Sequence, residues 1–343
     1  MKPTTTRVPC HSAVILILAL ALCLNILPVS AVTVTDDSGA NVTLAAPPQR
    51  IVSLAPSNTE ILAALGLLDR VVGVTDVCDY PPAVKTIPRI GGYSAISTEK
   101  VSAAHPDLVL ASDITPKETV RRLRALGLTV MVVSPHNIDQ VIEDIRRIGT
   151  VTGEESTADT LAANLSARLA VIAPANPATR RPTVAHVVWN KPLYVSGNDT
   201  LQDDIIAHAG GTNAFSNVDG WGTVSLEQFL MKNPDIVIVS GGGGMDNAIR
   251  DVILEDFMTS PQYASLSAVK NHRVYAVNAD AISRAGPRIV DAAEQVAADI
   301  RAMEMADKTS REIPAPAARS PGFCAGSIVL IIGIMVVLRE AGA

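Results

Sequence analysis

The chain has 343 residues, of which 48% are hydrophobic and only 3% aromatic, with a formal net charge of −6. That length allows two domains of ordinary size, and cores made of Val, Ile, Leu and Ala suit parallel strands buried on both faces. The negative charge, with no Lys/Arg stripe to reverse it, excludes nucleic acid as a partner.

Taken in order, the chain begins with an apolar stretch over residues 13–29 that follows Lys2 and Arg7 and leads to Val29-Ser30-Ala31. This reads as a secretory signal over residues 1–31. Cys10 and Cys23 fall within it and Cys324 falls in an apolar C-terminal run. Cys78 is left alone in the folded part, so no intramolecular disulfide forms there, and it is expected to be an inert buried thiol.

Residues 32–136 read as an N-terminal α/β lobe. Val32–Thr35 and Asn41–Leu44 flank the turn residues Asp36–Gly39 as a hairpin. Strand-like Ile51–Leu54 is followed by a helix from Ser57, with Ser57 and Glu60 in capping-box spacing. Strands at Val71–Thr75, Leu108–Ser112 and Thr129–Val133 alternate with helices at Ser97 and over Pro116–Leu126, the pattern of βαβ crossovers and a parallel sheet.

Connecting helices are expected over 137–173. A helix over Ile138–Ile148 stops at Gly153, and a second over Glu154–Ile172, roughly 28 Å long at 1.5 Å per residue, is long enough to cross between lobes. Residues 174–303 form a second α/β lobe, with strands at Thr183–Trp189, Ile236–Ser240 and Arg273–Val277 and helices near Leu201–Ala209, Asn247–Phe257 and Pro287–Met303. A Pro/Ala-rich tether follows over 304–322, then an apolar segment over 323–343 whose longest run, Phe323–Leu338, is somewhat shorter than the ~20 residues of a comfortable membrane span.

A thirteen-residue pattern occurs twice. Ser97-Thr98-Glu99-Lys100-Val101 leads after three residues to His105-Pro106-Asp107-Leu108-Val109. Ser225-Leu226-Glu227-Gln228-Phe229 leads to Asn233-Pro234-Asp235-Ile236-Val237. Each copy reads as a serine-capped helix stopped by proline and followed by a β-branched strand. Glu99 and Glu227 occupy the same point of the first turn. A helix dipole alone would favour an acid there, but two equivalent acids on two lobes also suit docking onto a symmetric partner.

An aromatic residue precedes each copy: Tyr93 in Gly91-Gly92-Tyr93 and Trp221 in a glycine-flanked loop, Asp219-Gly220-Trp221-Gly222. These two suggest stacking on a flat ligand, with Tyr80 and Tyr194 as weaker candidates. Asp280 and Arg284 are placed to hydrogen-bond a polar ligand edge, to pair with each other, or to cap the helix at Gly286-Pro287. There is no G-x-S-x-G elbow, Walker loop or C-x-x-C, and no histidine pair at metal-ligand spacing, so neither catalytic nor metal residues are assigned. The glycines Gly241–Gly244 read as a loop at a cleft rim.

Several motifs together resemble the periplasmic binding proteins of cobalamin, haem and ferric-siderophore ABC importers. They are Arg50-Ile51-Val52-Ser53-Leu54-Ala55-Pro56-Ser57-Asn58-Thr59-Glu60, Asp79-Tyr80-Pro81-Pro82, His105-Pro106-Asp107-Leu108-Val109, Gly210-Gly211-Thr212-Asn213-Ala214-Phe215 and Pro287-Arg288-Ile289. The resemblance implies two Rossmann-like α/β lobes with mainly parallel sheets joined by one long α-helix, no catalytic turnover and no resident cofactor. It implies that a corrinoid or ferric siderophore is carried to an ABC permease dimer with its ATPase subunits. Glu99 and Glu227 would dock onto the permease, and Tyr80, Tyr93, Trp221 and an acid at Asp280 would hold the ligand. Pro321-Gly322-Phe323 before the last apolar run resembles an archaeal PGF-type sorting signal. By either a lipid or a tail anchor, the chain would sit at the outer face of the membrane. The competing readings are a metallocluster enzyme component of the nitrogenase-like type, which would need clustered cysteines, and a surface interaction protein with an empty cleft.

Overall fold

The structure, a computed structural model, describes residues 31–172, 180–241 and 250–312. The expected signal, the glycines after Gly241 and the apolar C-terminal segment lie outside them. Among the described residues no helix is long and apolar enough to cross a membrane.

Strands β1 (Val32–Thr35) and β2 (Asn41–Leu44) make the expected antiparallel hairpin. In the N-terminal lobe β3 (Ile51–Ser53), α1 (Pro56–Ala64), β4 (Val71–Val74), α2 (Thr98–Ala103), β5 (Leu108–Ser112), α3 (Lys117–Ala125) and β6 (Val130–Val133) follow in order. Their sheet has strand order β4-β3-β5-β6 and is parallel throughout. The central strand β5, Leu-Val-Leu-Ala-Ser, is buried along its whole length, as a strand covered on both faces must be. The edge strand β6 does not stay open. The hairpin turn lies along it, with Asp37 N donating to Val132 O (3.1 Å) and Val132 N to Asp36 Oδ2 (3.0 Å), so the turn occupies backbone groups that would otherwise template another strand.

Helices α4 (Ile138–Thr152) and α5 (Glu155–Ile172) connect the lobes as a packed helical hairpin. The sequence led us to expect two helices broken at Gly153, with the second alone crossing between the lobes. Gly153 takes the left-handed conformation (φ 76°) and closes α4 four residues later than the periodicity suggested, and the chain turns back as α5, so the connection is a pair of packed helices. A side chain at Gly149 would place its Cβ 2.3 Å from that of Ala158, so the close approach of the two helices depends on glycine there.

The C-terminal lobe contains β7 (Thr183–Asn190), β8 (Leu193–Ser196), α6 (Leu201–His208), β9 (Thr212–Asn213), β10 (Trp221–Val224), α7 (Leu226–Lys232) and β11 (Ile236–Gly241). It continues with α8 (Arg250–Thr259), α9 (Ser267–Lys270), β12 (Val274–Asn278), α10 (Ala279–Ser283) and α11 (Ile289–Glu312). The expectation of a mainly parallel sheet fails in part here. Strands β7, β9, β11 and β12 pair in parallel, but β8 and β10 add an antiparallel edge in the order β10-β8-β7-β11-β12. Helix α11 also continues through residues 304–312, which the sequence reading placed in the tether.

One apolar cluster runs from the N-terminal lobe (Ile51, Leu108) through α4 and α5 (Ile145, Leu165) to β7, β11 and α11 (Val184, Ile236, Val296). The lobes therefore share a core rather than swinging on a bare linker. Each also has its own outer cluster. That of the C-terminal lobe departs from the aliphatic expectation, with Phe215, Phe229, Phe257 and Tyr263 in successive ring contacts.

Candidate functional site

Because β3, β5 and β6 are parallel, their C-terminal ends open onto one edge of the N-terminal lobe, and β11 and β12 do the same opposite. A cavity of about 570 Å³ lies between these edges. Crevices outside the carboxyl ends of strands are where open α/β sheets bind ligands. The N-terminal lobe contributes the start of α1 (Ala55–Ser57), Val77, Tyr93, the loop after β5 (Ser112–Ile114) and the loop after β6. The C-terminal lobe contributes the start of α6 (Asp199–Gln202), Gly220, Trp221 and the segment from Ala279 to Ala285.

Tyr93 and Trp221, matched in the repeat, thus line the same cavity, 42% and 39% exposed. Trp221 does not sit on a loop, however. It opens β10, opposite Ser196 of β8, and its ring stacks on Tyr194 with centroids 5.9 Å apart and planes at 14°. Behind it stands His186, which sequence reasoning passed over. This residue is fully buried and meets Trp221 edge-on at 5.9 Å, its two ring nitrogens bonded to the hydroxyls of Ser196 (3.1 Å) and Ser240 (3.0 Å). Burial pushes its pKa down to about 4, so the imidazole is neutral, and it braces Trp221 without adding charge.

Asp280 and Arg284 also line the cavity, and of the open alternatives they pair with each other, Arg284 Nη2 to Asp280 Oδ1 at 2.9 Å. Burial raises the Asp280 pKa, and Arg284 opposes the shift. Arg284 is engaged further: its Nη1 donates to Glu60 Oε1 (3.0 Å) and Asp79 Oδ1 (2.8 Å) across the lobes. It is therefore not a free donor for a ligand edge. Tyr80 departs from expectation too. It is not among the residues lining the cavity, and its ring lies under the Arg288 guanidinium, 4.1 Å from its centre.

Glu60 is the residue whose sequence reading was wrong. The Ser57–Glu60 spacing suggested a capping box, but α1 starts from Ala55 with no side-chain cap. The Glu60 carboxylate, with only 2% of its side chain exposed, accepts from Arg288 Nε (2.8 Å) and Nη2 (2.6 Å) as well as from Arg284. A buried charge has to be paired, and its partners lie on the other lobe.

Glu99 and Glu227 are both exposed, in the first turns of α2 and α7. Ser97 and Ser225 each accept from the backbone N–H three residues on (3.2 Å), and only the second copy completes a capping box, through Gln228. The Ser225 hydroxyl and the glutamate's own amide hold the Glu227 pKa below the usual value. Cys78 is buried, with its sulfur 3.2 Å and 3.1 Å from the hydroxyls of Thr59 and Thr75.

A family model of periplasmic binding proteins matches residues 51–281. The chain belongs to that family. It is a binding protein and not an enzyme. An ABC transporter substrate-binding lipoprotein of Bacillus subtilis, YvrC, is 32% identical over 277 residues, 78% of this chain and 85% of the relative. The crystal structure of the periplasmic vitamin B12 binding protein BtuF of Vibrio cholerae superposes with a TM-score of 0.67 at 28% identity, over 75% of this chain and 98% of that one. The periplasmic heme-binding protein RhuT from Roseiflexus sp. RS-1, in its apo form, matches with a TM-score of 0.66 at 28% identity, over 74% and 98%.

Proposed function

We propose that this binding protein is the extracytoplasmic solute-binding component of an ABC importer, and that it carries an uncharged or cationic metal chelate, a corrinoid first and a ferric siderophore second. The observation that carries the reading is the meeting of Tyr93 and Trp221, one from each copy of the repeat, in the wall of a single interlobe cavity. Two half-exposed rings on opposite walls suit a large flat guest. The relatives named for vitamin B12 and for haem leave the choice of chelate open, and charge narrows it. In and directly behind the cavity wall stand Asp113, Asp199, Asp280, Glu60 and Asp79, against Arg284 and Arg288. This acidic surplus repels the carboxylates of haem and favours amide-rich or cationic chelates.

Glu99 and Glu227 dock the two lobes onto the two halves of the permease. Residues 323–343, outside the described part, hold the protein to the outer face of the membrane. The test is gel filtration of the purified soluble part after incubation with cyanocobalamin, haemin, ferrioxamine B or ferric enterobactin. Colour is expected to co-elute with the first or third. Retention of ferric enterobactin or haemin alone, or of none, contradicts the reading.

A further inference from the structure

The interlobe ion network does more than join the lobes. Among the described residues Arg284 is the only guanidinium in the cavity wall, and an anionic chelate would need it as a carboxylate clamp. Its side chain is 10% exposed and three carboxylates already hold it: Asp280 beside it, and Asp79 and Glu60 from the opposite lobe. Glu60 binds from behind, outside the cavity lining, and is itself held in a two-pronged grip by Arg288. Gly286, between the two arginines, runs beside α1, where an added Cβ would make ordinary contact with Ser57 O at 3.5 Å and Glu60 Cβ at 3.6 Å. The arginine segment is thus seated on the N-terminal lobe with its positive charge turned inward.

We propose that Glu60 is a specificity-determining residue: by occupying Arg284 from the far side of the cavity wall, it withholds that guanidinium from anionic ligands and sets the selectivity of the cleft for uncharged ones. A plain structural strut would affect all ligands alike, whereas this role moves one class against another. The proposal deepens the importer reading and rests on the same cavity.

The measurement is the ratio of affinities for haemin, which carries two carboxylates, and cyanocobalamin, which is neutral overall, in the full soluble protein. Glu60→Gln keeps the side-chain shape and removes one competing charge, and the haemin-to-cyanocobalamin ratio is expected to rise at least tenfold. Asp79→Asn, at a side chain 45% exposed, is safe for folding and is expected to move the ratio the same way by a few-fold. Arg284→Gln should move it in the opposite direction. An unchanged ratio in folded Glu60→Gln and Asp79→Asn proteins overturns the proposal, whatever the absolute affinities. Wild-type protein that retains neither probe, nor ferrioxamine B, contradicts the importer reading. In that event a gain of haemin binding in the variants still supports the role of Glu60, and no gain overturns it.

Discussion

The two lobes repeat each other closely in one place and hardly at all in another. In each, the Pro-Asp within the thirteen-residue pattern turns its aspartate back onto the start of a central strand. Asp107 accepts from Gln49 N (2.8 Å) and Arg50 N (2.9 Å) ahead of β3, and Asp235 accepts from Thr183 N (2.8 Å) and its hydroxyl (2.9 Å) at the start of β7. The residue just before proline adopts positive φ in both, 46° at His105 and 40° at Asn233. The cavity walls have no such match. Tyr93 stands in an irregular loop of the N-terminal lobe, while Trp221 is set in an antiparallel edge strand and backed by Tyr194 and His186. The lesson is a division of labour. The repeated frame presents equivalent acids to the outside, and the unrepeated strands and loops shape the inside.

The sharpest way to break that comparison is to reverse both outer acids. Glu99→Lys with Glu227→Lys should abolish uptake in a transport assay with the cognate permease and leave ligand affinity unchanged, and either substitution alone should give a partial loss. Unchanged uptake in the double variant removes the docking role. Next come the walls. Trp221→Ala should weaken binding about 100-fold and Tyr93→Ala about 10-fold by equilibrium titration, since a well-supported aromatic anchor contributes ~2 kcal/mol or more and a tenfold change is ~1.4 kcal/mol. Equal effects would indicate that the brace behind Trp221 adds nothing.

The frame should respond symmetrically. Asp107→Ala and Asp235→Ala should each destabilise by about 1.5–3 kcal/mol in denaturant titrations, because each removes a charge-assisted anchor of strand backbone. A large cost in one lobe only would end the equivalence. The smallest effects concern pH. Asp144 on α4 is buried, and Arg147, although 2.8 Å away, directs its hydrogen bond to Asp37, so burial and the Asp37 charge push the Asp144 pKa from 3.8 to about 7. Folded protein thus keeps a proton that the unfolded chain has lost. The stability this gives is complete below pH 3.8 and is lost as pH rises through 7. His186 has the opposite sign: its pKa falls from 6.5 to about 4, so its contribution is present above 6.5 and lost as pH falls toward 4. Asp144→Asn should remove a fall of a few degrees in melting temperature between about pH 4 and pH 7 and leave the slope of the profile above pH 7 unchanged.

Much of the frame was legible because its signals are local. Serine caps, prolines and β-branched runs name their own helix ends and strands, so both copies of the repeat and the equivalence of Glu99 with Glu227 emerged from spacing alone. The interior was less legible because its partners are distant. Glu60 fits a capping box three residues after Ser57, while its actual partners, Arg284 and Arg288, lie 224 and 228 residues away in sequence. Asp280 and Arg284 were seen as a pair with open roles, and only the fold brings Asp79 and Glu60 to them. Strand β10 is four residues long, contains Gly222 and is paired only with β8 at the sheet edge, so Trp221 looked like a loop residue. His186, one alternating position in a strand, carried no local sign of its two serine partners.

The central claim is that both lobes hold one guest between Tyr93 and Trp221. The chain has two tryptophans, so Trp189→Phe leaves Trp221 as the only emitter. Titrating that variant with cyanocobalamin, corrected for absorbance, should quench Trp221 in a saturable one-to-one curve that shifts to weaker binding when Tyr93→Ala is added on the opposite wall. Quenching that never saturates, or a curve indifferent to Tyr93, would contradict a ligand shared by the two lobes.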